Sequence, residues 1–325
     1  MSRATILTIC LIAGPAAAAD WEPVATDLLK SEKTGFGGLC GVAVDHATGD
    51  VLIDLSDRGL FRSTDQGKTW ARHGPVVKGR TEWPGCLLFD PTGKSKRLVM
   101  ALVYGAPVGI SPDAGATWAQ LDAKSAHVDW AVVDWAEMKF VLALKHETGG
   151  LLLASHDGGK TFAELGKGYG PAWVFDGQTA VAAEAKSRDR PKPRLVRTTD
   201  GGKTWDPVGE YTATALPKWH DGTLYWLVEG AMLTTADLGK TWAKVSDVKD
   251  GTYGPIFGRD AKHLLVLTKA GILESSDGGA TWGKPISLPK ELKGTSPLTW
   301  LEYDPKGDIL YVMKMGSDLY RLVRK

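Results

Sequence analysis

The apolar positions of this chain fall into short runs closed by turn-forming residues, and one arrangement recurs seven times. A few turn residues lead into a short apolar strand, which then usually meets an aspartate. The copies are Val42-Ala43-Val44-Asp45, Leu87-Leu88-Phe89-Asp90, Val132-Val133-Asp134, Val174-Phe175-Asp176, Trp219-His220-Asp221, Ile256-Phe257-Gly258-Arg259-Asp260 and Leu301-Glu302-Tyr303-Asp304. Each aspartate is placed to start a turn into a second strand, as in Asp90-Pro91-Thr92-Gly93 and Asp304-Pro305-Lys306-Gly307.

A polar signature alternates with these runs. Ser63-Thr64-Asp65-Gln66-Gly67-Lys68-Thr69-Trp70 returns in variant form from Ser111, Ser155, Thr198, Thr235 and Ser275, at steps of 48, 44, 43, 37 and 40 residues. A period near forty is what a four-stranded propeller blade needs. The pattern S/T-x-D-x-G-x-T-W/F predicts a hairpin turn between a third and a fourth strand. Its hydroxyl and carboxylate accept from turn N–H groups, its glycine takes positive φ, and its aromatic ring opens the outer strand. A repeat that uses both once per period contributes to the high counts of 13 Trp and 39 Gly.

All six copies match the Asp-box, or BNR repeat, and the chain resembles the Asp-box β-propellers over nearly its whole length. The resemblance implies that Asp65, Asp113, Asp157, Asp200, Asp237 and Asp277 are structural and lie on the rim, away from the central mouth. None of the boxes supplies the ligand spacing of a calcium-binding EF-hand loop. Seven strand openings against six boxes are reconciled by ring closure. After Ser296 the chain offers three strands (Leu298 to Tyr303, Ile309 to Lys314, Leu319 to Val323) and stops. Trp21-Glu22-Pro23-Val24-Ala25 is similar to the stretch after a box, Trp205-Asp206-Pro207-Val208-Gly209. The expected fold is therefore all-β: a seven-bladed propeller whose last blade is completed by the N-terminal strand, leaving no open edge.

Residues 1–19 read as a signal peptide: Arg3, an apolar stretch from Ile6 to Gly14, and Ala17-Ala18-Ala19 before Asp20. The expectation is export to the periplasm or beyond, with residues 20–325 as one propeller domain. An oxidising compartment would allow Cys40 and Cys86 to pair, since they sit just before the first strands of consecutive repeats; two buried thiols are the alternative. A net charge of +1 gives no reason to expect nucleic acid, and no later segment is long and apolar enough to span a bilayer. No cofactor and no metal are expected, and the chain is expected to be a monomer.

Propeller topology puts ligands at the mouth lined by loops leading into the innermost strands and by loops joining second and third strands. The candidates for a binding face are Trp83, Asp129, Arg58, Tyr104 and Trp300. If the protein is an enzyme, the candidate groups are Glu82, His127, Glu147, Tyr169, Tyr253, Arg80 and Arg190. This mixture of aromatics, acids and bases suits a sugar or a peptide. His146-Glu147 lacks the second histidine of a H-E-x-x-H motif, because residue 150 is Gly. Lys186 to Arg194 is the one dense basic segment and reads as an extended, solvated loop.

Asp-box propellers host several functions. Sialidases of this kind are six-bladed and carry a Phe-Arg-Ile-Pro motif; here Phe61-Arg62-Ser63-Thr64 belongs to a box. Polysaccharide lyases and xyloglucanase-like hydrolases are a second group, needing facing carboxylates or a Tyr or His base. The photosystem II assembly factors, exported seven-bladed propellers that hold a protein partner, agree in size and blade count. The functional expectation is a non-catalytic binding scaffold for a protein partner or a glycan, with a carbohydrate-active enzyme as the alternative.

Overall fold

The computed structural model describes residues 20–35, 37–292 and 294–324. The signal-peptide reading of residues 1–19 lies outside them. Seven antiparallel sheets are arranged as the blades of one ring, each contributing an innermost strand. These strands are Gly41–Asp45, Leu87–Phe89, Val128–Val133, Tyr169–Val174, Lys218–His220, Gly251–Phe257 and Thr299–Asp304. They coincide with the seven sequence openings. The aspartate that follows most of them closes a turn through its own side chain: Asp45, Asp90, Asp134, Asp176, Asp260 and Asp304 each accept from the backbone N–H two residues on.

The last blade is closed by both ends of the chain. Its strand order is Glu22–Pro23, Tyr320–Val323, Ile309–Lys314, Thr299–Asp304, with Glu22 opposite Arg321 and Pro23 opposite Tyr320. Val24 N–H donates to the Leu319 carbonyl (2.8 Å) and Ala25 N–H to Asp318 Oδ1 (2.8 Å). Arg321 grips Glu22 Oε1 through two nitrogens (2.9 and 2.5 Å). One element was not anticipated: a helix over Thr26–Glu32 between the closing strand and the first inner strand. Blade six has only three strands, and an isolated bridge between Ile272 and Ile286 stands in for the fourth. Pro285, which cannot donate to a ladder, accounts for the interruption.

Each Asp-box is the same closed set of bonds. In the first, Ser63 Oγ donates to Asp65 Oδ1 (2.8 Å) and accepts from Gly67 N–H (2.7 Å). Asp65 then accepts from both Thr69 N–H (2.9 Å) and Thr69 Oγ (2.6 Å). The box glycines have φ between 80° and 94°. A Cβ on Gly239 would lie 2.2 Å from Val181 Cγ1 of the neighbouring blade, so this position excludes a side chain on two counts. The boxes are therefore local fasteners between blades, and their aspartates are committed to the turns.

The fasteners have a pH signature. The Thr69 hydroxyl, followed by the Thr69 N–H, holds Asp65 at about 2, and equivalent bonds hold Asp200, Asp237 and Asp277 at about 2. Asp113 and Asp157 are lowered in the same way. The folded values lie below the unfolded value of about 4. This stabilisation is thus complete above about pH 4 and is lost as pH falls towards 2. The urea midpoint is expected to drop across that window. Asp237→Asn should start lower at pH 6 and drop less; an equal drop in wild type and variant would show that this box carries none of the acid sensitivity.

Candidate functional site

The antiparallel course of each blade puts the loops into the innermost strands and the second-to-third-strand loops on one face, here the inlet face. The first-to-second-strand turns and the boxes lie on the other, the box face. The structure divides the sequence candidates among several places. Arg80, Glu82, Tyr104, His127, Asp129 and Glu147 come together on the inlet face over blades two and three, with His146 among them. Tyr169 and Arg190 meet Glu184 and Arg194 at blade four, where Glu184 accepts from Arg190 (3.1 Å) and Arg194 (2.6 Å). Arg190 also donates to the Ala185 carbonyl, which pins the basic segment at one point instead of presenting that guanidinium outward. Trp83 and Tyr253 line a central inlet cavity of about 680 Å³, together with Pro84, Leu216 and Pro297.

One expectation, Trp300, is corrected, and Arg58 is found to have a structural partner. Trp300 is fully buried, its ring lying against Gly41 of the first inner strand, where a Cβ would come within 3.1 Å of it. It is core and offers no stacking surface. Arg58 caps the end of the Thr26–Glu32 helix, donating to the Glu32 carbonyl (2.9 Å), where the last carbonyls of a helix lack partners. The pairing of Cys40 with Cys86, left open by the sequence, is not formed: both are buried free thiols.

The inlet cluster is a dense polar network around one exposed ring. Tyr104 is 46% exposed, and its ring lies over the Arg80 guanidinium (5.0 Å) and beside His127 (4.6 Å) and His146 (5.3 Å). Arg80 pairs with Glu82 (2.7 Å). Asp129 Oδ1 contacts His146 Nδ1 at 2.5 Å, and His146 Nε2 faces Glu147 Oε1 at 3.4 Å. Tyr104 N–H donates to His127 Nδ1 (3.0 Å). Tyr104, His127 and Glu147 all have positive φ (51°, 58° and 55°). Non-glycine residues seldom adopt that conformation, and each instance costs of order 1–3 kcal/mol.

The electrostatics follow from the packing. Burial raises Asp129, with the His146 hydrogen bond opposing the shift. Burial lowers His127, and His146 adds to that effect. Desolvation and then the Glu147 carboxylate raise Tyr104, so the phenol stays neutral. His127, His146 and Glu147 bring three donor atoms within 4.8 Å of one another. However, His127 Nδ1 accepts from Tyr104, which leaves the proton of the neutral ring on Nε2 and opposes ligation there. The arrangement is wired as a hydrogen-bond network that fixes the Tyr104 platform.

Residues 61–72 match the BNR/Asp-box repeat. The chain is a seven-bladed β-propeller that carries the BNR/Asp-box repeat. No curated protein sequence matches it significantly. Among solved structures it is similar to YCF48 bound to D1 peptide (14% identity, TM-score 0.54, 96% of this chain and 97% of that one). It is also similar to YCF48 from Cyanidioschyzon merolae (12%, 0.51, 94% and 98%). A third likeness is to the extracellular domain of the putative one component system BT4673 from B. thetaiotaomicron (9%, 0.57), covering 88% of this propeller but 38% of that chain. Identities this low carry the fold alone. Among the described residues, no helix is long and apolar enough to cross a membrane.

Two residues of chemical interest escaped the sequence reading. Lys218 and Glu302 lie on innermost strands and meet at the axis through Tyr253, between the inlet cavity and a larger one on the box face.

Proposed function

We propose that this Asp-box propeller is a non-catalytic binding protein that holds an extended segment of a protein partner on its inlet face, and that residues 1–19 direct it out of the cytoplasm. The observation that carries the binding role is the Tyr104 platform, an exposed aromatic ring held among three left-handed loop residues on the same face as the inlet cavity. A rigid aromatic with a polar rim provides contact area at little entropic cost. The charges around it are closed on one another, Arg80 with Glu82 and Asp129 with His146, whose second nitrogen faces Glu147. A general base instead needs a free lone pair aimed at an open reacting position. Full-length similarity to a propeller whose structure is that of YCF48 bound to D1 peptide supports the same reading.

The test is selection of peptides from a displayed random library on the immobilised protein, with a glycan array in parallel. Enriched peptides should bind Tyr104→Ala at least tenfold more weakly than wild type and bind Asp247→Ala, on an outer strand, unchanged. Peptides indifferent to Tyr104→Ala, or binding confined to the glycan array, would overturn the proposal; the second result would favour the carbohydrate reading. N-terminal sequencing of secreted or periplasmic protein should begin at Asp20.

A further inference from the structure

The box face opens onto a second cavity along the axis, about 870 Å³, larger than the inlet cavity and used by nothing described so far. Its walls include Phe89, Trp219, His220 and Phe257 from the inner strands and the turns that follow them. His220 stacks on Phe257 (4.1 Å, 13° between planes), which makes one wall flat and rigid. Lys218 and Glu302 lie at its inner end.

Those two charges are incompletely satisfied. Lys218 Nζ donates to Tyr253 Oη (2.8 Å), and Tyr253 Oη donates to Glu302 Oε1 (3.3 Å). The ammonium and the carboxylate are thus at most about 6 Å apart, yet they do not close an ion pair. An ammonium has three donors and a carboxylate about four acceptor sites, so each retains capacity towards the cavity. Burial lowers Lys218, with Glu302 opposing, and burial raises Glu302, with Lys218 opposing. The Lys218 ammonium also lies over the Tyr253 ring (4.5 Å), so both charges are met in part within the protein, and a ligand that meets both recovers the remaining cost of burying them. A simple anion would meet Lys218 but be repelled by Glu302; a simple cation has the reverse defect.

The geometry points to a zwitterion: the box-face cavity is a site for a free α-amino acid with a large apolar side chain. Its carboxylate is received by Lys218, its ammonium by Glu302, and its side chain by the aromatic wall. Tyr253 does not titrate in the ordinary range, since burial and Glu302 raise it, so it serves as a fixed spacer between the two receiving groups. The site shares Tyr253 with the wall of the inlet cavity but none of the residues of the Tyr104 cluster, so the peptide reading can fail without it.

Calorimetric titration of the purified protein tests this with L-phenylalanine and L-leucine, phenylalaninamide (no carboxylate) and N-acetylphenylalanine (no ammonium). At least one free amino acid should bind, and both capped forms should bind at least tenfold more weakly. Lys218→Met should erase the preference for phenylalanine over its amide. The near-isosteric Glu302→Gln should erase the preference over the N-acetyl form and keeps the test available if Lys218→Met does not fold. Tyr104→Ala should leave all of these values unchanged. Failure of both amino acids to bind, or capped forms binding as well as free ones, would overturn the assignment.

Discussion

Replacing Trp226 with alanine is expected to destabilise the protein by about 3–5 kcal/mol, the range for removing a large aromatic from a packed core. Trp226 is fully buried on the Thr223–Val228 strand of blade five, tilted against Trp242, the aromatic of that blade's own box (5.6 Å between rings). Its Nε1–H donates to the Ala215 carbonyl at 2.9 Å. Alanine therefore leaves a cavity beneath the box and an acceptor without its donor. Trp226→Phe retains most of the volume and isolates the hydrogen bond, for which about 1 kcal/mol is expected. Urea unfolding of the three proteins decides the matter. A loss under 1 kcal/mol for alanine would mean that the blade closes around the gap, and that the boxes do not depend on packing from within. Thr214, Ala215 and Leu216 also line the inlet cavity, so the same substitution should weaken inlet-face binding without touching a contact residue.

What was legible in the sequence follows the range of the interactions. An Asp-box is closed by bonds between residues two and four apart, such as Asp65 with Thr69 and Ser63 with Gly67, so its residues announce it without the rest of the fold. The count of inner strands could be read for a similar reason, since six of the seven end in their own aspartate turn. Ring closure was legible because a missing strand at one end was matched by a spare one at the other. The site was harder, because it depends on which loop covers which side chain. Trp300 looks like a platform until Gly41, from the first blade, packs against its ring and the residue is fully buried. Arg58 looks like a mouth residue until an unanticipated helix arrives to be capped. His146 gains meaning only once Asp129, seventeen residues earlier, reaches its ring. Tyr253, Lys218 and Glu302 come from three blades, and no spacing along the chain relates them.

Removing residues up to and including Ala25 is the stronger test of how the ring is held. The truncation deletes the Glu22–Pro23 strand, the Arg321–Glu22 ion pair and the bonds from Val24 and Ala25 to Leu319 and Asp318. Trp21 Nε1–H no longer reaches the Ser287 carbonyl (2.7 Å), and Trp70 Nε1–H loses the Val24 carbonyl (2.8 Å). Val24 also leaves its place against Gly67 in the first box, so one deletion loosens the seam between the last and first blades. At about 1 kcal/mol per hydrogen bond, plus the apolar contact, the loss is roughly 4–6 kcal/mol. That corresponds to a fall in Tm of roughly 10 °C. The deletion also bares one edge of Tyr320–Val323, and an unpaired strand edge recruits another chain. Light scattering should then show concentration-dependent association that a peptide of residues 20–35, added in trans, suppresses while restoring Tm. A truncated protein that stays monomeric with an unchanged Tm would place the closure of the ring in inter-blade packing, with the N-terminal strand merely lying along a blade that is already complete.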